Sequence, residues 1–451
     1  MAAGCAGPTE KGSTTMSNAI GRRGFLGLAG LAVGTTALTA CGGKESAPTT
    51  STPAASSASS VAAGAAATPS AMASDKAERA DADLVIWCDN DRYPVIKKYA
   101  DQFASENGIT AAVQVSADVR AQFANASKVG KGPDVIIGAH DWLGEMVQNG
   151  TVAPVQLDAA TQAKFKKETL DATRFNGQTY GVPYARENIG LVRNTEMCPE
   201  APKSLEELLT MAKGKGSQPL VMQVSPKGDA YYSYPWLSAF GGGIFAQKPN
   251  GEFDPTQIIV NSEGSVKGAQ ILADLGKAKT LSTNIDFNIA NDLFNKKKSP
   301  FIITGPWSID AMSKAGIKYA ISPLPTLTGG GAMQPFLGIQ MFYISSKAKN
   351  APMAQEFVTK AMTTKEAQID LFKVGHRPPA LVEAYDEVQA TDADVKAWYE
   401  AGKDAKPMPN IPAMAAVWEP LGLAEADIVA GKALPKARLD AAAAEIKKNI
   451  K

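Results

Sequence analysis

Leu84-Val85-Ile86-Trp87 runs into Cys88-Asp89-Asn90-Asp91-Arg92, then into Tyr93 to Glu106, Asn107-Gly108 and Ala111 to Val115. Four consecutive apolar residues rich in β-formers read as a strand covered on both faces. In the next stretch Val95, Ile96, Tyr99 and Phe103 recur at helical spacing, so Tyr93 to Glu106 reads as an amphipathic helix that Asn107-Gly108 stops. Ala111 to Val115 reads as a second strand, Arg120 to Lys128 as a helix, and Asp134-Val135-Ile136-Ile137 as a further buried strand. Strand, helix and strand in alternation define an α/β layer structure with a largely parallel sheet. Ligands of such sheets sit beyond the carboxyl ends of the strands. That singles out the loops Cys88 to Arg92, Gly138 to Trp142, and Thr304 to Trp307 after the strand Phe301-Ile302-Ile303.

Towards the N-terminus the composition changes. Arg22 and Arg23 precede an uncharged run of apolar and small residues, Gly24 to Ala40. Its apolar part falls short of the about 20 residues of a membrane span and has the layout of a signal peptide. Leu38-Thr39-Ala40-Cys41 resembles a bacterial lipobox, which implies cleavage before Cys41 and a lipid on its sulfur. Arg22-Arg23-Gly24-Phe25-Leu26 resembles a twin-arginine signal, so twin-arginine and general secretory export both stay open, and Met16 is an alternative start. From about Glu45 to Ser74 the chain is Ser, Ala, Thr, Pro and Gly with almost no large apolar side chain, the composition of a flexible tether. Folded structure is expected from Ala82, which leaves about 370 residues, enough for two domains.

Of 451 residues, 46 are basic and 45 acidic, for a formal charge of +1. Loss of residues 1–40 removes Lys11, Arg22, Arg23 and Glu10 and turns +1 into −1. A near-neutral chain without basic blocks is no phosphate-neutralising nucleic-acid binder. The only histidines are His140 and His376, and no cysteines have metal-ligand spacing, so no metal or cofactor is expected.

Each loop also has a bland explanation. Asp89, Asp91 and Arg92 would make a solvated turn with a helix cap and a surface ion pair worth under about 1 kcal/mol. Asp141 suits the N-cap of a helix over Trp142 to Val147 as well as it suits a ligand. Trp307 after Gly305-Pro306 would cap the core, Arg186 and Glu187 would form an exposed ion pair, and Tyr231-Tyr232-Ser233-Tyr234-Pro235-Trp236 would pack as a helix, Trp236 above all.

Taken together and in order, several of these pieces carry a resemblance: Leu84 to Asp91, Gly132-Pro133-Asp134-Val135-Ile136, Ala139-His140-Asp141, Phe175-Asn176-Gly177, Tyr180-Gly181-Val182-Pro183, Gly305-Pro306-Trp307 and Met408-Pro409-Asn410-Ile411-Pro412. From about Asp83 to Lys451 the chain resembles the maltose/maltodextrin-binding proteins of ABC importers. The resemblance implies a two-lobed periplasmic-binding-protein fold, each lobe a largely parallel sheet flanked by helices. Residues 82–186 with 340–379 would form one lobe and 187–336 with 383–451 the other, with crossings near Ala185 to Ile189, Phe336 to Ile339 and Pro379 to Glu383. Cys88 and Cys198 then fall in different lobes, where a disulfide would oppose hinge motion. The resemblance puts Asp89, Asp91, Arg92, Asp141, Glu187 and Asp229 on sugar hydroxyls and Tyr231, Tyr232, Trp307 and Trp418 on sugar rings. It departs from the family where Gly138 stands for a stacking tryptophan, Trp142 for an arginine and Arg120 for an acid, which adds Trp142 to the site and implies a reshaped subsite.

The implied function is a monomeric maltooligosaccharide receptor, tethered by lipid on Cys41 to the outer face of the cytoplasmic membrane, delivering sugar to permease subunits without chemistry or nucleic acid. Two alternatives compete with it. One keeps the fold but binds another oligosaccharide, or a charged solute held by Arg92, Arg120 and Arg186. The other is a secreted glycosidase, which would need two carboxylates held across a scissile bond.

Overall fold

A computed structural model describes residues 78–116, 118–249 and 251–450. The expected signal peptide, Cys41 and the tether through residue 77 lie outside the described residues. Order begins before Ala82: Arg79 reaches Asp134 at 2.7 Å, both side chains almost fully buried, and the same carboxylate accepts the Val85 amide at 2.7 Å. A buried carboxylate requires such partners, so residues 79–81 belong to the fold and not to a tether.

The elements that place the site are β1 (Leu84–Cys88), α1 (Tyr93–Asn107), β2 (Ala111–Val115), α2 (Val119–Lys128), β3 (Val135–Ala139), β4 (Gly181–Glu187), β5 (Gly190–Asn194), α3 (Ala230–Ser238), β6 (Phe301–Thr304), β7 (Tyr319–Ser322), β8 (Phe336–Ser345) and α4 (Trp418–Val429). All five residues of β1 are buried. Leu84, Ile86 and Cys88 join one apolar cluster and Val85 and Trp87 another, because successive strand side chains point to opposite faces. α1 buries Val95, Ile96, Tyr99 and Phe103 and ends where Gly108 takes a left-handed conformation.

In the first sheet β1 pairs in parallel with β2 and β3, Leu84 opposite Ala111 and Ile86 opposite Val135. β8 runs antiparallel to β3, with Gln340 opposite Ala139, and antiparallel to β4, with Gly338 opposite Glu187. The second sheet has β5 between β6 and β7, antiparallel to both. The α/β class holds, but the largely parallel character expected of both lobes is only partly met: parallel pairing joins β1 to β2 and β3 and the start of β8 to Lys406-Pro407, whereas β5, β6 and β7 pair antiparallel. The reason is directional: β5 starts next to the crossing at Glu187, whereas β6 ends towards the same side at Thr304, so the two must run oppositely.

Two groups of cores result, and the chain passes between them three times. Ala185 packs in the first and Ile189 in the second; Phe336 in the second and Phe342 in the first. The third passage is later than the expected Pro379 to Glu383. Leu381 and Ala384 still fill the first core, and only Trp398 and Ala401 reach the second, because the helix from Val382 lays its apolar face back on the first. Cys88 and Cys198 are both free and buried, in different cores.

Candidate functional site

A cleft of about 510 Å³ lies where the loops after β3 and β6 meet the first turns of α3 and α4. Its lining holds eight of the residues picked from sequence: Asp141, Trp142, Glu187, Asp229, Tyr231, Tyr232, Trp307 and Trp418. Asp89, Asp91 and Arg92 are not in it. Arg92 is buried and turned away, against the Tyr184 hydroxyl and Gln340 Oε1 (3.0 Å), and is paired with Asp89, whose Oδ1 also accepts the Arg92 amide at 3.0 Å. Asp91 is exposed. Arg92 instead supports the site from behind: it fixes the Gln340 amide, which donates to Glu187 Oε1 at 2.7 Å.

Asp141 caps no helix. It sits inside a short turn, His140–Trp142, 4% exposed, and its Oδ2 accepts from Trp418 Nε1 at 3.2 Å with Arg120 at 3.8 Å. Burial pushes its pKa up to about 6 against the pull of Arg120 and the Trp418 bond. Burial acts on Glu187 in the same sense, but Arg377, Gln340 and Arg92 outweigh it and hold this carboxyl below its usual range. Neighbouring carboxyls thus differ in character, one easily protonated and one locked as an anion. His140 is structural. Its Nδ1 accepts the Ile339 amide at 3.1 Å, which leaves the proton on Nε2 to donate to Met408 O at 3.2 Å, and burial lowers its pKa to about 4.

The aromatic wall is built on glycines. A Cβ on Gly138 would lie 1.9 Å from the Trp142 ring, and one on Gly305 would lie 2.3 Å from the Trp307 ring. Trp142 therefore rests on the backbone of Gly138, and Arg120 lies 5.8 Å from its centroid. Trp307 is seated the same way, with Arg377 5.5 Å from its centroid. Tyr231 packs edge-on and tilted against Tyr232, Trp307 and Phe336 at 6.0 to 6.2 Å. Its hydroxyl oxygen is buried with no partner among the described residues. Trp236, by contrast, is fully buried core.

Two lining residues escaped sequence reading. Arg377 follows His376, a helix-ending residue with φ +52, and pairs with Glu187 across 190 residues of chain. No local pattern announces it. Gln223 donates to Asp229 Oδ2, and an uncharged residue in an apolar stretch gives equally little signal. Arg186 is not in the cleft lining; its Nη2 donates to Gly402 O at 3.2 Å and its guanidinium lies 4.4 Å from the Tyr399 ring. Among the described residues no cluster of His, Cys, Asp or Glu is placed to hold a metal, and no helix is long and apolar enough to cross a membrane.

An α/β protein of two cores joined by three crossings, with a cleft of indoles, phenols and carboxyls lined by residues that pack on both, has the architecture of a solute-binding protein. The family profile described as bacterial extracellular solute-binding protein matches residues 98–402, and the chain belongs to that family. It is 30% identical over 392 residues to the galactooligosaccharide-binding protein of Bacillus subtilis (strain 168), covering 85% of this chain and 93% of that one. It is 26% identical over 361 residues to the maltotriose-binding protein of Pyrococcus abyssi, 76% of each chain. With the maltooligosaccharide ABC transporter solute-binding lipoprotein of Streptococcus pneumoniae (strain ATCC BAA-255 / R6) it shares 25% over 382 residues, 82% and 89% of the two chains.

Proposed function

We propose that the chain is the receptor of a sugar ABC importer, lipid-anchored through Cys41 outside the cytoplasmic membrane, which closes over a maltooligosaccharide and hands it to permease subunits. What carries the proposal is the unpaired Tyr231 hydroxyl set among seated indoles and paired carboxyls. A pyranose has apolar C–H faces for rigid aromatic planes and a rim of hydroxyls that donate and accept. Asp141 and Asp229 would take hydroxyl donors in charge-assisted bonds, and Arg120 and Arg377 would donate to ring and hydroxyl oxygens. The lobes built on the two cores would close because the sugar contacts both, and differential affinity for the closed state is what drives such a change. The receptor acts as a monomer, needs no cofactor and performs no chemical step.

A second sugar class competes on a specific observation. The relative at 30% identity is named for galactooligosaccharide, and the Gly138 and Trp142 arrangement departs from the maltodextrin pattern. Glucose and galactose differ only in the orientation of one hydroxyl, and a site that pairs its polar groups with one epimer penalises the other. A thermal-shift screen of the mature chain against maltotriose, maltotetraose and galactooligosaccharides separates the two, since a ligand of the native state raises stability by mass action. A shift with the malto series alone supports the first assignment, and a shift with galactooligosaccharides alone replaces it. Release of monosaccharide during the assay would mark a hydrolase instead.

A further inference from the structure

We propose that Glu425 is a positioning residue of the cleft: its carboxyl group, buried beneath the site, clamps the backbone amide of Asp229 and so sets where Asp229 and Tyr231 meet a sugar. This rests on the sugar-binding assignment above for its functional half and on geometry alone for the rest. Trp418, Gly422 and Glu425 stand at i, i+4 and i+7 of α4 and share one face. The top of that face enters the cleft through Trp418. Its middle meets Gly228 backbone to backbone, where a Cβ on Gly228, itself at φ +68, would lie 1.6 Å from Gly422 O. At its base Glu425 Oε2 accepts the Asp229 amide at 2.5 Å.

Asp229 is thereby held from both sides. Its own Oδ1 accepts the Tyr231 amide at 2.9 Å, capping α3, and its Oδ2 takes the Gln223 amide in the cleft lining. Glu425 is 2% exposed, and its Oε1 is buried with no partner among the described residues. Among the described residues no cation pairs with it, so burial and the neighbouring Asp229 favour the neutral acid. A neutral carboxyl accepts an N–H as well as an amide carbonyl does, without adding a charge next to the cleft. Glutamine should therefore replace it, and leucine should not.

The experiment compares wild type, Glu425→Gln and Glu425→Leu in the mature chain. Hydrogen exchange of the Asp229 amide is followed by NMR without ligand, and affinity is measured for whichever sugar of the panel gives heat with wild type. Expected are a protected Asp229 amide in wild type, protection and affinity within twofold in the Gln variant, and fast exchange with at least tenfold weaker binding in a folded Leu variant. An unprotected Asp229 amide in wild type, equal losses in both variants, or a Leu variant with unchanged protection and affinity would overturn the assignment. The wild-type and Gln measurements decide it even if the Leu chain does not fold. If no sugar binds wild type, the sugar assignment fails, while the exchange data still judge the Glu425 clamp.

Discussion

Trp418 Nε1 donates to Asp141 Oδ2 at 3.2 Å, which ties the first turn of α4 to the loop after β3 across the cleft. Trp418 packs on the second core and Asp141 sits at the end of a first-sheet strand, so the bond joins the two sides that a bound sugar would have to join. It also explains why a carboxyl so deeply buried persists.

Asp141 should leave a signature in pH dependence. Its folded pKa, raised to about 6, exceeds the unfolded value of 3.8. The folded protein therefore keeps the proton longer, and ionisation penalises the fold as pH rises from below 4 to above 6. A shift of about two units corresponds to about 3 kcal/mol. Urea unfolding of Asp141→Asn against wild type should show the difference moving in the variant's favour by up to that amount between pH 4 and pH 7. A difference that stays constant with pH would show that Asp141 is not held protonated.

Gly138 should tolerate no side chain. The Cβ of Gly138→Ala would meet the Trp142 ring at 1.9 Å, and the indole must leave its seat. Calorimetry should report at least tenfold weaker sugar binding, close to that of Trp142→Ala, with the double variant no weaker than either, because both changes remove one stacking face.

For Trp307→Ala, truncation of a stacking indole in the cleft should cost more than tenfold in affinity, about 1.4 kcal/mol or more. Unchanged affinity with a lower melting temperature would reduce Trp307 to a core cap.

Arg377→Met should unbalance Glu187. The two side chains are 13% and 8% exposed, and removing one partner of a buried pair strands the other charge, at about 3–5 kcal/mol. A loss of that size in the unfolding free energy from urea titration is expected at pH 7, and a smaller one at pH 4, where Glu187 can take up a proton. Equal shifts at both pH values would argue that the loss is packing alone.

Strand and helix identities in the first sheet were legible because β1 is an unbroken apolar run and α1 carries a clean helical periodicity stopped by Asn107-Gly108. The second sheet's antiparallel order was not, since strand direction depends on where the chain re-enters after a crossing, and no residue encodes that locally. Asp141 could not be assigned from sequence because an aspartate after a strand serves a cap and a ligand equally well. Asp89, Asp91 and Arg92 occupy a strand-end loop of the right kind, yet the Arg92 side chain finds Tyr184 and Gln340 behind the cleft. Arg377 and Glu425 were invisible for a common reason. Their partners are 190 and 196 residues away, and an acid within a helix reads as solvated until the helix is found packed all round.

Isothermal titration of the mature chain with maltose, maltotriose, maltotetraose, panose, isomaltose and galactooligosaccharides bears on everything above. A receptor built as described should give saturable one-to-one heat with at least one member, abolished or weakened more than tenfold by Trp307→Ala. Heat from none of them, with the protein folded, would contradict a malto- or galactooligosaccharide receptor.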